Sequence, residues 1–136
     1  MSALTSNRNT RERDPRLRRY AILAGEIIYA GGLAALNGST GKLEMASDKA
    51  GLIVVGRAEE YVDNTGDGLY ATARTGCFLF ANSTAHAITA ANIGAACYVE
   101  DDNTVSSNAG TNSIIAGYVF DVDSSGVWVE IAPRVK

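Results

Sequence analysis

The sequence predicts an all-β fold: a small β-barrel or sandwich-like domain of two similar β-units, with at most one short helix and an extended N-terminal arm. Three observations carry this. Apolar runs rich in β-branched residues, such as Ile53-Val54-Val55, Ile114-Ile115 and the period-two stretch Val127-Trp128-Val129-Glu130-Ile131, read as strands. Clusters of Asn, Asp, Ser, Thr and Gly at 37–41, 63–68, 108–110 and 123–126 punctuate them as turns. Finally, 136 residues with 46% hydrophobic and 20% charged side chains suffice for one core and exclude a disordered or collagen-like chain.

The arm comes first. Residues 1–19 contain no Gly, only Leu4 and Leu17 as large aliphatics, and Pro15 in the middle, so they build neither a core nor one continuous helix. Arg8, Arg11, Arg13, Arg16, Arg18 and Arg19 face only Glu12 and Asp14 there, which gives residues 1–20 a charge of +4. Residues 21–136 carry −7, for a total of −3. A basic arm over 1–19 is thus attached to an acidic β-rich body over 20–136. The first twenty residues lack the apolar core of a signal peptide, so export is not expected. No apolar run of ~20 residues is available to cross a membrane as a helix, so no membrane partner is expected.

Within the body, Thr89 can cap a helical turn over 89–93 that Gly94 ends. A weak internal repeat is also visible. Gly25-x-x-x-Tyr29 matches Gly94-x-x-x-Tyr98, and Ile53-Val54-Val55-Gly56 matches Ile114-Ile115-Ala116-Gly117. The turns at 62–66 and 122–126 follow, and Gly68-Leu69-Tyr70 parallels Gly126-Val127-Trp128. Any two β-hairpins share apolar runs and Asp-x-x-Gly turns, so that simpler reading stands beside the repeat. If the repeat holds, two similar β-units close on each other.

Catalytic and metal chemistry finds little to work with. One histidine, His86, removes most schemes that need a base near neutral pH. It follows Ser83-Thr84-Ala85, but no nucleophile-elbow pattern is present, and a loop or half-buried position is expected for it. Asp63-Asn64-Thr65-Gly66-Asp67-Gly68 begins like a calcium loop, yet the twelfth position is Arg74 where a bidentate Glu is needed, so a β-turn is the better reading. Glu100-Asp101-Asp102 reads as an exposed acidic loop. Cys77 and Cys97 lie in strand-like apolar surroundings and are expected to be buried small hydrophobes. No phosphate-binding or dinucleotide fingerprint occurs. No enzyme activity, cofactor or metal is expected.

The arm is the segment with functional character. Its arginines can neutralise phosphates, but no aromatic residue interleaves them before Tyr20 and an acidic body repels a polyanion, so nucleic acid is not the expected partner. Bidentate contacts with carboxylates suit docking on an acidic protein surface equally well, and docking on protein is the preferred reading. The candidate binding residues are Arg8, Arg11, Arg13, Arg16, Leu17, Arg18 and Arg19.

Residues 20–136 resemble the head decoration, or capsid cement, proteins of tailed phages and prophages. The resemblance lies in Gly25-x-x-x-Tyr29, Gly51-Leu-Ile-Val-Val-Gly56-Arg-Ala, the turn before Gly68 and Arg74-Thr75-Gly76-Cys77-Phe78-Leu79-Phe80. Gly94-x-x-x-Tyr98, Ile114-Ile-Ala-Gly117-Tyr-Val and Val127-Trp-Val-Glu-Ile131 complete it. It implies a compact β-fold forming homotrimers on the outer surface of the virion head, after assembly in the host cytoplasm. There it clamps subunits of the major capsid protein, its N-terminal segment touching the shell. The long Arg-rich extension departs from the family pattern. A second reading, from a different class, is a β-barrel binding module for nucleic acid or carbohydrate that uses the arm and the Tyr61/Tyr70 region.

Overall fold

The computed structural model describes residues 2–133. In chain order the strands are β1 (Leu17–Ala21), β2 (Ile27–Ile28), β3 (Leu33–Asn37), β4 (Leu43–Met45), β5 (Leu52–Ala58), β6 (Val62–Asp63), β7 (Tyr70–Arg74), β8 (Gly76–Asn82), β9 (Ala96–Val99), β10 (Thr104–Ser106), β11 (Ile115–Asp123) and β12 (Gly126–Ile131). The fold is all-β, as expected. The helical turn predicted over 89–93 is a single 3-10 turn, Ala90–Asn92, whose start is tied by the Thr89 N–H donating to Asn92 Oδ1 at 2.8 Å. The arm is shorter than its composition implies. Leu17, Arg18 and Arg19 belong to β1 and pair with Arg74, Ala73 and Thr72 of β7, so the arm outside regular structure ends at Arg16. The cause is tertiary: β7 offers an open ladder edge, which local composition does not show.

The body consists of two five-stranded units with the same strand order. The first runs β1-β7-β5-β3-β4 and the second runs β8-β12-β11-β9-β10. The second closes into a barrel through a parallel pairing of β10 with β8, in which Val105 faces Asn82. The first reaches the same closure by one parallel bridge, Ile22 to Leu43. The hydrogen bonds agree in detail. Leu23 donates its N–H to Leu43 O at 2.8 Å, and Ser83 donates to Val105 O at 2.9 Å. Gly31 donates to Ala58 O and Gly94 to Val119 O, both at 2.8 Å; Ala58 donates back to Gly32 O and Val119 to Ala95 O, both at 2.9 Å. A small separate sheet pairs β2 with β6 beside the first unit.

These equivalences support part of the sequence repeat and correct its register elsewhere. Ile53–Gly56 and Ile114–Gly117 are true counterparts: Val55 and Ala116 are each skipped by the neighbouring ladder, one residue before the glycine. Gly94, by contrast, is the counterpart of Gly31 and not of Gly25. Arg57 faces Arg74 as Tyr118 faces Glu130, so counting back along the ladders sets Tyr70 opposite Gly126, two residues from the expected Trp128. The loop between β5 and β7 is longer than that between β11 and β12, which is why matching turn chemistry misled the alignment.

The core has two compartments. Ile22, Ile28, Ala34, Leu43, Ala58, Ala71 and Ala73 fill the first barrel. The second barrel is filled by Phe80, Ile88, Cys97, Val99, Val105, Val127 and Val129 among others. Leu33, Ala35, Leu52 and Val54, from the outer flank of the first barrel, belong to this second cluster. The flank of one unit therefore packs on the other, and burying Leu33 and Val54 there contributes roughly 1.5–3 kcal/mol each.

The paired glycines give a test of the duplicated architecture. A Cβ added at Gly56 would sit 2.5 Å from the Arg74 carbonyl oxygen, and one at Gly117 would press still closer on the Glu130 carbonyl. Backbone cannot retreat as a flexible side chain can. Gly56→Ala and Gly117→Ala are each expected to cost at least about 2 kcal/mol in chemical unfolding, whereas Gly41→Ala, in open space, is expected to cost less.

Candidate functional site

Residues 2–19 are exposed throughout, and the six arginines of this stretch meet different fates. Arg16 is engaged: its Nε and a terminal nitrogen bond both oxygens of Asp14, the shortest contact being 2.6 Å. This fork holds the Asp14 carboxyl down to about 2 and raises the guanidinium. Arg18 lies over the Tyr20 ring with 4.7 Å to the centroid, and Arg19 over Tyr70 at 4.6 Å, placements that favour a cation on an aromatic face. Among the described residues no ion pair involves Arg8, Arg11 or Arg13. Of the seven binding residues inferred from sequence, Arg8, Arg11 and Arg13 lie on the arm, Arg16, Arg18 and Arg19 brace its root, and Leu17 begins β1 with its side chain exposed.

The root of the arm lies beside a groove. Arg13, Pro15, Leu17 and Arg18 line it on one side; Tyr20, Leu36, Ile53, Val55, Ala73 and Thr75 form its floor, and Pro133 touches its edge. Its volume is about 480 Å³ and its lining is mostly apolar. This is the mouth of the first barrel, at the end where β1 and β5 begin and β3 and β7 finish. Leu36, Ile53 and Val55 are only half-buried there. In the second barrel the corresponding Val99, Ile114 and Ala116 are buried, because the flank of the first barrel covers that end. Sequence reasoning missed this groove. Leu36, Ile53 and Val55 are ordinary strand residues, and no sequence signal shows that nothing covers them.

The two barrels are clamped at the same place by polar contacts. Asp48, in the β4–β5 loop, accepts backbone N–H groups from Thr111 at 2.8 Å and Asn112 at 2.9 Å, and its carbonyl accepts Asn112 Nδ2 at 2.9 Å. Leu33 N–H donates to Asp102 O at 2.7 Å. The amide donors hold the Asp48 carboxyl below the ordinary range. Burial and the neighbouring Asp101 push Asp102 up.

The remaining candidates serve the fold. Ser83 donates to Glu100 Oε1 at 2.7 Å and accepts the His86 backbone N–H at 3.1 Å, while His86 itself is exposed and its carbonyl accepts Ser107. The serine hydroxyl is thus directed at a carboxylate rather than an imidazole. In the calcium-like segment, Asn64 is fully buried; its amide donates to Ile22 O and Leu23 O and its oxygen accepts Leu69 N–H. Asp63 accepts the Thr65 hydroxyl and, at 3.0 Å, the Thr65 N–H of an Asx turn, and these two bonds lower its pKa. Among the described residues no group of His, Cys, Asp and Glu is placed to hold a metal ion. Cys97 is buried as expected, but Cys77 is exposed, since its position on β8 points outward. Partial burial and Glu130 nevertheless raise the Cys77 thiol.

A second surface carries aromatics. The Tyr29 and Tyr61 rings meet in a tilted contact, 5.8 Å between centroids and 51° between planes, and both are exposed, as is Tyr70. Tyr118, Phe120 and Leu79 are exposed on the second barrel. No helix of the described residues is long and apolar enough to cross a membrane. In comparisons with known proteins, no family model, no curated protein and no solved structure matches the chain.

The Asp48 clamp predicts a pH dependence. A carboxyl whose folded pKa is depressed contributes stability that is present above its unfolded pKa, near 4, and lost as pH falls through the lower folded value. Asp48→Asn is expected to lower Tm at pH 7 by a few degrees. The gap between variant and parent should narrow steadily below about pH 4 in thermal melts.

Proposed function

We propose that the chain is a structural virion protein that coats the outside of a phage head. It binds the major capsid protein through its arm and strengthens contacts between shell subunits as a homotrimer. The observation that carries this reading is the arm: a basic segment, exposed from residue 2 to residue 16, attached to an acidic body that holds it only at its root, around Arg13 and Arg16. Exposed ion pairs are worth only roughly 0–1 kcal/mol each, so Arg8, Arg11 and Arg13 gain their value on a surface that partly desolvates them. The resemblance of the body to capsid cement proteins supplies the partner. The role is a surface role without catalysis.

The truncation that tests this removes residues 2–12 and leaves Asp14, Arg16 and β1 in place, because Arg16 O accepts Thr75 N–H and Leu17 onward is strand. The shortened chain is expected to keep its β-type circular dichroism and its Tm within a few degrees, and to lose at least about tenfold in affinity for purified heads in co-sedimentation. Undiminished decoration of heads by the truncated chain refutes the anchoring role. Binding to duplex DNA that survives 200 mM salt and is lost on truncation favours the nucleic-acid module instead.

A further inference from the structure

The two barrels meet flank to end, and this contact is used once where the chain offers the parts for it twice. The flank is the outer face of β3 and β5, where Leu33, Ala35 and Val54 are buried. The end it covers is that of the second barrel, where Val99, Ile114 and Ile131 are buried. Asp48 and Leu33 fasten the flank to the loops at that end, through Thr111, Asn112 and Asp102. By the strand equivalences, the second barrel has its own flank, with Ala96, Tyr98 and Ile115 in place of Leu33, Ala35 and Val54. All three are only half-buried. The first barrel likewise has its own end, the groove of about 480 Å³ floored by Leu36, Ile53 and Val55. Each chain thus retains one unused end and one unused flank.

We propose that the mouth of the first barrel is a docking site for a second copy of this chain, and that its occupant is the β9–β11 flank of that copy around Tyr98 and Ile115. The internal contact is the precedent: the equivalent strands β3 and β5 already pack this way on the end of the second barrel. Charge agrees with it. Arg13 and Arg18 line the mouth, while the flank lies beside Glu130, which faces Tyr118 across the ladder as Tyr118 faces Ala96. Such a contact is heterologous, since different surfaces of the two copies meet, and it closes into a ring when the rotation permits. It goes beyond the capsid reading and holds independently of any shell.

Complementary variants test it. The intact chain is expected to show assembly beyond the monomer that increases with concentration in sedimentation velocity, weakened by salt. Ile53→Asp spoils the mouth and Tyr98→Asp spoils the flank; each alone is expected to stay monomeric. Mixed in equal amounts they retain one good mouth and one good flank between them, and are expected to form a heterodimer and nothing larger. Leu17→Asp, at an exposed position on the rim, gives a second mouth variant that leaves the interior untouched, and circular dichroism checks each fold. A monomeric wild-type chain at every soluble concentration overturns the proposal. So does a Tyr98→Asp protein that assembles like the parent while Ile53→Asp does not, which means mouth meets mouth. Assembly abolished by removing residues 2–12 and unaffected by Tyr98→Asp overturns it as well, by showing that the arm fills the mouth of a neighbour.

Discussion

Burial of the β3–β5 flank against the end of the second barrel is the contact on which the rest of the molecule depends. A five-stranded barrel with Ala34, Ala58, Ala71 and Ala73 inside encloses little apolar volume, and a unit of this size is marginal alone. Leu33, Ala35, Leu52 and Val54 turn the outside of the first barrel into the floor of the second, so both share one continuous apolar region. This contact also determines local sequence. A strand half-exposed to water alternates apolar and polar residues, whereas β3 is buried on both faces over residues 33–35 and β5 is buried on one face and half-buried on the other, so they read as unbroken runs, Leu33-Ala34-Ala35-Leu36 and Leu52-Ile53-Val54-Val55. The loops follow from it too. Asp48 can accept two amide hydrogens from the 108–114 loop only because the flank brings the β4–β5 loop there.

The sequence was most legible where the structure is local. Strand type, turn clusters, the single short helical turn and the absence of any further helix among the described residues all follow from apolar period and Gly/Asn/Asp placement. The pairing Ile53–Gly56 with Ile114–Gly117 was legible because its glycine is imposed by a carbonyl at the same point of each ladder. Gly25 and Gly94 were matched by spelling alone, and the ladder shows Gly31 to be the partner. Leu17–Arg19 read as arm because two arginines beside one leucine look solvated; the strand arises from β7, more than fifty residues away in the chain. Cys77 looked internal because its neighbours are apolar, yet β8 alternates and sets that side chain outward.

The candidate site divides in the same way. The arm and its charge were readable in composition, since neither depends on folding. The groove was not, because Leu36, Ile53 and Val55 are ordinary strand residues whose exposure depends on what packs over them. Arg16 shows the converse: its sequence position suggests a free binding group, but Asp14 two residues earlier already takes its fork.

Duplication followed by flank-to-end packing has a geometric consequence. Two equal units joined face to face would bury the same surface twice and leave the molecule symmetric. Joined flank to end, they cannot be equivalent, because one unit gives its flank and the other its end. The residues record the difference: Ile131 completes the covered end where the first barrel has Thr75, and Tyr98 stands on the outer flank where the first barrel has the smaller Ala35. The arm emerges at the uncovered end, with Arg13 and Pro15 on its rim. The attachment proposed for the arm and the packing proposed for the mouth therefore fall on one side of the molecule. Glu130 lies on the second barrel and Arg13 and Arg18 at the mouth of the first, so these opposite charges belong to different units. That polarity is what a directional, head-to-tail contact between copies requires.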